Sequence, residues 1–338
     1  MNRDNITNRD LLTALNTISG GRVPLSLAEM FSGKNPFVVV KSSNIPGKAV
    51  METPGLVFGQ IDQPIRKLAV LMTLTESAIE LAAATGVDAI VAHHPIADAA
   101  NSGGVTLKNY LGLYRISAFE LHEAFHGLHP GLAILHGHQA FRTEIAYGGI
   151  PGNIMYVGQA LPEVRCLEDI LLRLETLMGM DEERKMLELE KDVRHCSGIS
   201  ETNVLTGAKI ICGQSDSEVE TILHIFPHTG FSPEHLAQAM REHPEIDTLL
   251  ASISRVPDQH PLIDKAKEFG LNVIVGNSHA LEIYENGLPL AIALQQLLPQ
   301  VEVVMFRERC TSTPLRQFGS TAIQNYADMI VEKHLINK

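Results

Sequence analysis

The sequence predicts an α/β protein of two α/β lobes, with mainly parallel sheets and a metal site in the cleft between them. Three observations carry that expectation. Short apolar runs without strict alternation suit strands covered on both faces, helix-period segments lie between them, and histidine-bearing loops follow two of the runs directly. The chain has 338 residues, 45% of them hydrophobic and 20% charged, enough to bury more than one core. A composition change near residue 190 divides it into an N-terminal lobe, 1–190, and a C-terminal lobe, 191–338.

Taken in order, "NPFVVVKSS" and "KLAVLMTL" read as central parallel strands. After the second, "TESAIELAAATG" offers Thr75 as an N-cap, Glu76 in the first turn and Gly86 as the stop of a helix. "VDAIVAHHP" is the next strand, which completes a βαβ unit. Ligands in such sheets gather beyond the carboxyl ends of the strands, where His93 and His94 stand. "ELHEAFHGLHPG" reads as helix until Pro130, and "HPGLAILHGHQAF" as a helix start or turn with exposed His129, His136 and His138. "RCLEDILLRLETLMGMDEERKMLELEKDV" is strongly helical, and "TGAKIICGQSDSEVETILHIFPHTGFSPEHLAQAM" is a further strand-loop-helix unit. A second α/β unit closes the chain: "EIDTLLASIS", helix "HPLIDKAKEFG", strand "LNVIVGNSH", helix "GLPLAIALQQLLP" and strand "VEVVMF". It too sends a strand into a histidine loop, carrying His279, Glu282 and Glu285.

Composition bounds the function. A formal charge of -12 repels a polyanion and no Lys/Arg stripe is present, so nucleic acid is disfavoured as a partner. No run approaches the length of a membrane span, and "MNRDNITNRDLLTALN" lacks the apolar core of a signal peptide, so a cytoplasmic protein that is not a membrane protein is expected. Cys166, Cys196, Cys212 and Cys310 are scattered without a CxxC pair and are read as reduced and structural. Of fifteen histidines, seven fall between His93 and His138, and that clustering is the first functional signal.

Adjacent residues of a regular strand point to opposite faces, so His93 and His94 serve one cavity only if the strand has ended. Pro95 helps to end it and holds His94 extended, letting the two imidazoles diverge, each toward its own metal ion. An isolated pair would more often be one core and one exposed histidine; here position and neighbours favour metal. Imidazole suits zinc, iron, nickel or cobalt better than magnesium. The pentapeptide "HEAFH" matches HExxH, in which His122 and His126 share a helix face and hold one zinc while Glu123 activates water. The longer HExxHxxGxxH signature has no match, which weakens a peptidase reading. His129, His136 and His138 are left out of the site.

The order of these pieces resembles the Nif-three-like family, also called the dinuclear metal centre hexameric proteins and often described as GTP cyclohydrolase I type 2. The resemblance rests on "GLVFG", "RKLAVLMTLTESAIELAAATGVDAIVAHHP", the His122–His126 pair and "VIVGNSHALEIYENGLPLAIALQQLLPQVEVV"; 166–241 is unmatched. It implies two divalent transition-metal ions (zinc, iron, nickel, cobalt or manganese) held by His93, His94, His126, His279 and Glu282. His122 would be a ligand or its support, and Glu123 a candidate catalytic proton carrier. His126 stands where the family has aspartate, and the family's glutamate, four residues after its histidine, is represented by Glu282 or Glu285, with Glu282 nearer. The resemblance also implies a homohexamer and a metal-dependent hydrolase of a small phosphorylated or nucleotide-like substrate. A non-catalytic metal-binding or adaptor oligomer and an HExxH zinc peptidase are the alternatives.

Overall fold

A computed structural model describes residues 5–42, 49–96, 107–127, 131–150, 152–226, 230–253, 257 and 259–336. The first strands along the chain, β1 (Val39–Ser42) and β2 (Ala49–Glu52), form a separate antiparallel pair. "NPFVVVKSS" is therefore not a central parallel strand: the chain returns at once, and a parallel partner would need a crossover of about a dozen residues.

The other apolar runs build two sheets. In the first, β14 (Glu302–Met305), β4 (Lys67–Leu71), β5 (Ala89–Ala92) and β6 (Ser117–Glu120) run parallel in that order, and β3 (Gly55–Phe58) closes the edge antiparallel to β6. Every residue of β5 and β6 is buried, as expected for strands covered on both faces. Helices Asn8–Ile18 and Leu288–Leu297 pack on one face; Glu76–Ala84 and Leu107–Tyr114 pack on the other. Helix Glu76–Ala84 starts where the side chain of Thr75 accepts the backbone N–H of Ala78 (3.2 Å), and the chain leaves it through Gly86 at φ +71°.

The second sheet has the order β10 (Lys209–Cys212), β13 (Asn272–Ser278), β12 (Thr248–Ile253), β11 (Thr221–Phe226), β8 (Ile154–Ala160), β7 (His138–Glu144). Only β11, β12 and β13 are parallel; β10, β8 and β7 are antiparallel to their neighbours, so this sheet is mixed. Helices Pro233–Glu242 and Pro261–Glu268 cover one face and Leu167–Leu177 the other. The charged middle stretch forms two helices, Leu167–Leu177 and Met180–Val193, broken at Gly179 with φ +60°. A short pair, β9 (Ser200–Glu201) with β15 (Thr311–Ser312), ties the C-terminal segment back to the body.

The two sheets do not divide near residue 190. Strands β7 and β8, residues 138–160, belong to the second sheet, and β14 returns at 302–305 to the first. The C-terminal βα alternation therefore serves two sheets rather than one, because the helix after β13 packs on the first sheet and delivers β14 beside β4.

Candidate metal centre

Strand β5 delivers the tandem histidines beyond its last named residue. The backbone N–H of His93 donates to Leu71 O (3.0 Å) and that of His94 to Met72 O (2.8 Å), so both positions are pinned against the end of β4. Their ring centroids lie 5.6 Å apart with planes tilted by 45°. The residues after β6 form a tight turn rather than the expected helix: the N–H groups of Phe125 and His126 both donate to His122 O (2.8 and 3.3 Å). That turn still places the rings of His122 and His126 at 4.6 Å. Pro130 and His129 lie outside the described residues.

From the other sheet, β13 ends at Ser278 and enters a 3-10 turn, His279–Leu281, then a π-helical turn, Ile283–Gly287. This loop brings the His279 ring to 5.5 Å from that of His94 and buries Glu282 between the tandem histidines. Glu282 Oε2 is 2.8 Å from His94 Nε2, Oε1 is 3.3 Å from His93 Nε2, and Oε1 accepts from Asn286 Nδ2 at 3.0 Å.

Among the described residues the donor atoms fall into three groups, His93, His122, His126, then His94, His279, Glu282, and Glu52, His122, Glu123, the last sharing His122 with the first; in each the atoms lie within 4.8 Å of one another. All six residues expected as metal ligands are thus brought together. Outer contacts fix the rings. His93 Nδ1 donates to Leu121 O (2.8 Å), His94 Nδ1 meets Thr73 Oγ1 (2.9 Å), and His122 Nδ1 meets Glu52 Oε2 (3.1 Å). The first of these settles a tautomer. With its proton on Nδ1, His93 presents a bare lone pair at Nε2, yet that atom faces His126 Nε2 at 3.1 Å and the Glu282 carboxylate at 3.3 Å. His126 Nδ1, also buried, has no hydrogen-bond partner among the described residues. The Nε2 lone pair of His93 and the Glu282 carboxylate, two acceptors that face one another across 3.3 Å, fit a cation held between them.

The electrostatics agree. Burial alone would raise the Glu282 carboxyl, but its contacts with the imidazoles of His93 and His94 overcome it and hold the group well below 4.5. Burial lowers His93 and carries His122 well below 6.5, which keeps both imidazoles neutral, the form that ligates metals. Glu123 is buried with its carboxylate oxygens 3.7 Å from Nδ1 of His122 and of His126. It therefore lies along the Nδ1 edges of these rings.

Glu285, the other candidate glutamate, faces a second buried cluster that the sequence reading left out. His136 and His138 are fully buried, not exposed, and their rings pack with that of His224 at 4.6 and 5.4 Å. His138 Nε2 meets His224 Nδ1 (3.2 Å), His224 Nε2 meets Ser252 Oγ (2.7 Å), and Glu285 Oε1 is 3.8 Å from His136 Nε2. Burial pushes His136 down to about 4, His138 to about 3 and Glu285 up to about 8. Glu52, Thr73 and Asn286 were also missed at the site; each is an ordinary polar residue without a local pattern around it. Among the cysteines, Cys310 is exposed rather than structural.

Residues 40–112 match the family model described as Duf34/NIF3 (NGG1p interacting factor 3). No curated protein matches the chain in sequence. In fold, the chain is similar to reduced HcgD from Methanocaldococcus jannaschii, with a TM-score of 0.54, 16% identity, and coverage of 89% of this chain and 98% of that one. It is likewise similar to a Bacillus cereus protein related to NIF3, with a TM-score of 0.55, 12% identity and coverage of 90% and 97%. A Staphylococcus aureus hypothetical protein gives 0.53, 15%, 90% and 97%. Among the described residues no helix is long and apolar enough to cross a membrane.

Proposed function

We propose that this chain, Nif-three-like in its fold and in its N-terminal sequence, is a cytoplasmic metal-dependent hydrolase with a dinuclear transition-metal centre. The observation that carries the reading is the pair of donor triads, His93, His122, His126 and His94, His279, Glu282, set side by side with the buried Glu282 carboxylate touching both His93 and His94. One ion is assigned to His93, His122 and His126, the other to His94, His279 and Glu282. An imidazole-rich donor set with a single carboxylate favours zinc, iron, nickel or cobalt, and manganese is carried from the family resemblance. When bound, two such ions supply Lewis acidity toward a substrate oxygen and a water activated near neutral pH.

The chain's own residues prepare that site. Leu121 O, Thr73 and Glu52 orient His93, His94 and His122, so little reorganisation accompanies loading. We assign Glu123 to the same work, steadying His122 and His126 from their Nδ1 side, in place of the proton-carrier role first expected. The peptidase reading needs one zinc on His122 and His126 without His93, and the triad geometry weighs against it. The substrate we assign is a small phosphorylated or nucleotide-like molecule whose oxygen engages the ions, and the assembly a homohexamer, both carried from the family resemblance.

The test is elemental analysis of untagged protein, paired with a screen of phosphoesters and nucleotides at graded metal occupancy. About two ions per chain and turnover that follows occupancy are expected. The double change His93→Ala with His94→Ala should abolish both. Two ions with no turnover of any substrate would favour the non-catalytic metal-binding oligomer, and sedimentation of the chain as a monomer would remove the hexamer.

A further inference from the structure

Beside the second triad lies a cavity of about 220 Å³ whose wall includes His94 and His279. Its apolar surface is Met72, Ile283 and Phe306, and its charged side chain is Glu308. No lysine or arginine is among the described residues that line it. That absence is built by the chain's alternation. Just past β14 the backbone N–H of Phe306 still donates to Val70 O (2.9 Å), and in the segment that follows every second residue lines the cavity. Phe306, Glu308 and Cys310 face the cavity. Arg307 and Arg309 face away and are engaged: Arg307 makes a two-pronged ion pair with Glu183 (2.7 and 2.6 Å), and Arg309 lies 3.8 Å from Glu201 and 3.9 Å from Glu190.

We propose that Glu308 selects small molecules carrying an N–H donor group, an amine or amidine, beyond the oxygen that binds the ions, and turns away molecules with an anion there. The proposal rests on the metal-centre reading and refines it. Positive charge for a substrate oxygen comes from the ions, while the remainder of the molecule meets a carboxylate on an apolar wall. A phosphoryl group engaged at the ions is compatible with this, but a second anionic group pointing into the cavity is not.

Three nearly isosteric probes separate the claims. Butyrohydroxamate, β-alanine hydroxamate and succinic monohydroxamate share a metal-binding head and a two-carbon arm and end in a methyl, an ammonium and a carboxylate. Their binding to the full-length, zinc-loaded protein is measured by calorimetry at about pH 7.5, where the amine is protonated and the carboxyl ionised. The ammonium probe is expected to bind about tenfold tighter than the methyl probe, equivalent to ~1.4 kcal/mol, and the carboxylate probe more weakly than either. Glu308→Gln should bring all three within about threefold while leaving the methyl probe unchanged, and Glu308→Lys should invert the order. Failure of the methyl probe to bind would overturn the metal-centre reading itself. Binding of all three with no charge preference, or a preference that survives Glu308→Gln, would overturn the role of Glu308 alone.

Discussion

Replacing Glu285 by glutamine should stabilise the metal-free protein in alkali and leave it nearly unchanged in acid. Glu285 is 3% exposed; its Oε1 accepts from Asn277 Nδ2 (2.9 Å) and its Oε2 has no hydrogen-bond partner among the described residues. Burial, reinforced by the nearby charge of Glu282, raises its carboxyl from an ordinary 4.5 to about 8, so the folded chain carries it protonated at neutral pH. The neighbouring ring supports this. His136 Nδ1 donates to Leu132 O (2.9 Å), leaving Nε2 a bare acceptor that faces the carboxyl at 3.8 Å. The sign follows from proton counting. Below 4.5 both states hold the proton; as pH rises toward 8 the unfolded chain releases it first, and stability is lost across that interval. At ~1.4 kcal/mol per pH unit the loss is on the order of 4 kcal/mol for a fully buried group. Glutamine mimics the protonated acid and cannot titrate. Thermal melts with a chelator present, at about pH 5 and pH 8, should show the variant gaining roughly 5–10 °C over the native chain at the higher pH only. Parallel behaviour of the two proteins across that range would mean that Glu285 is ionised in the fold, and the argument would fall.

The histidine cluster acts in the opposite direction. His136 and His138 fall to about 4 and about 3, so their contribution is complete above 6.5 and is lost as pH drops below it; melts of the metal-free Glu285→Gln chain should decline steadily from pH 6.5 to 4. Thr73→Val removes the contact that orients His94 and should weaken metal binding about tenfold to a hundredfold in competition with a chromophoric chelator.

The first sheet was legible because its information is local. A strand, a capped helix and a strand within about 25 residues leave one right-handed way to pair, and β4, β5 and the helix between them lie where their patterns put them. The second sheet was half legible. β7 alternates in burial, but its sequence "HQAFRTE" sets Ala140 beside Phe141 among polar residues and carries no apolar period of two that would mark a strand. The membership of β14 had no local signal at all, since a Val-rich strand fits the edge of either sheet. The site follows the same division. Histidines after strand ends could be nominated from chain position alone, whereas Glu52 and Asn286 reach the centre only through the tertiary fold.

The choice between Glu282 and Glu285 shows where such reading stops. On an ideal helix, residues three and six after His279 differ by only ~60° around the axis, so periodicity cannot separate them. The π-helical turn from Ile283 does, together with burial depth: one carboxylate reaches His93 and His94, the other turns toward His136. Their opposite protonation follows from those neighbours. Glu282 is ionised because His94 Nε2 and the Asn286 amide donate to it, whereas Glu285 has one amide donor and a bare imidazole nitrogen, and keeps its proton. A divalent charge at Glu282 would favour ionisation of Glu285 as well, and by linkage an ionised Glu285 would tighten the ions. The pH comparison is therefore made on the metal-free chain, where burial and the charge of Glu282 hold the proton on Glu285 that the unfolded state releases.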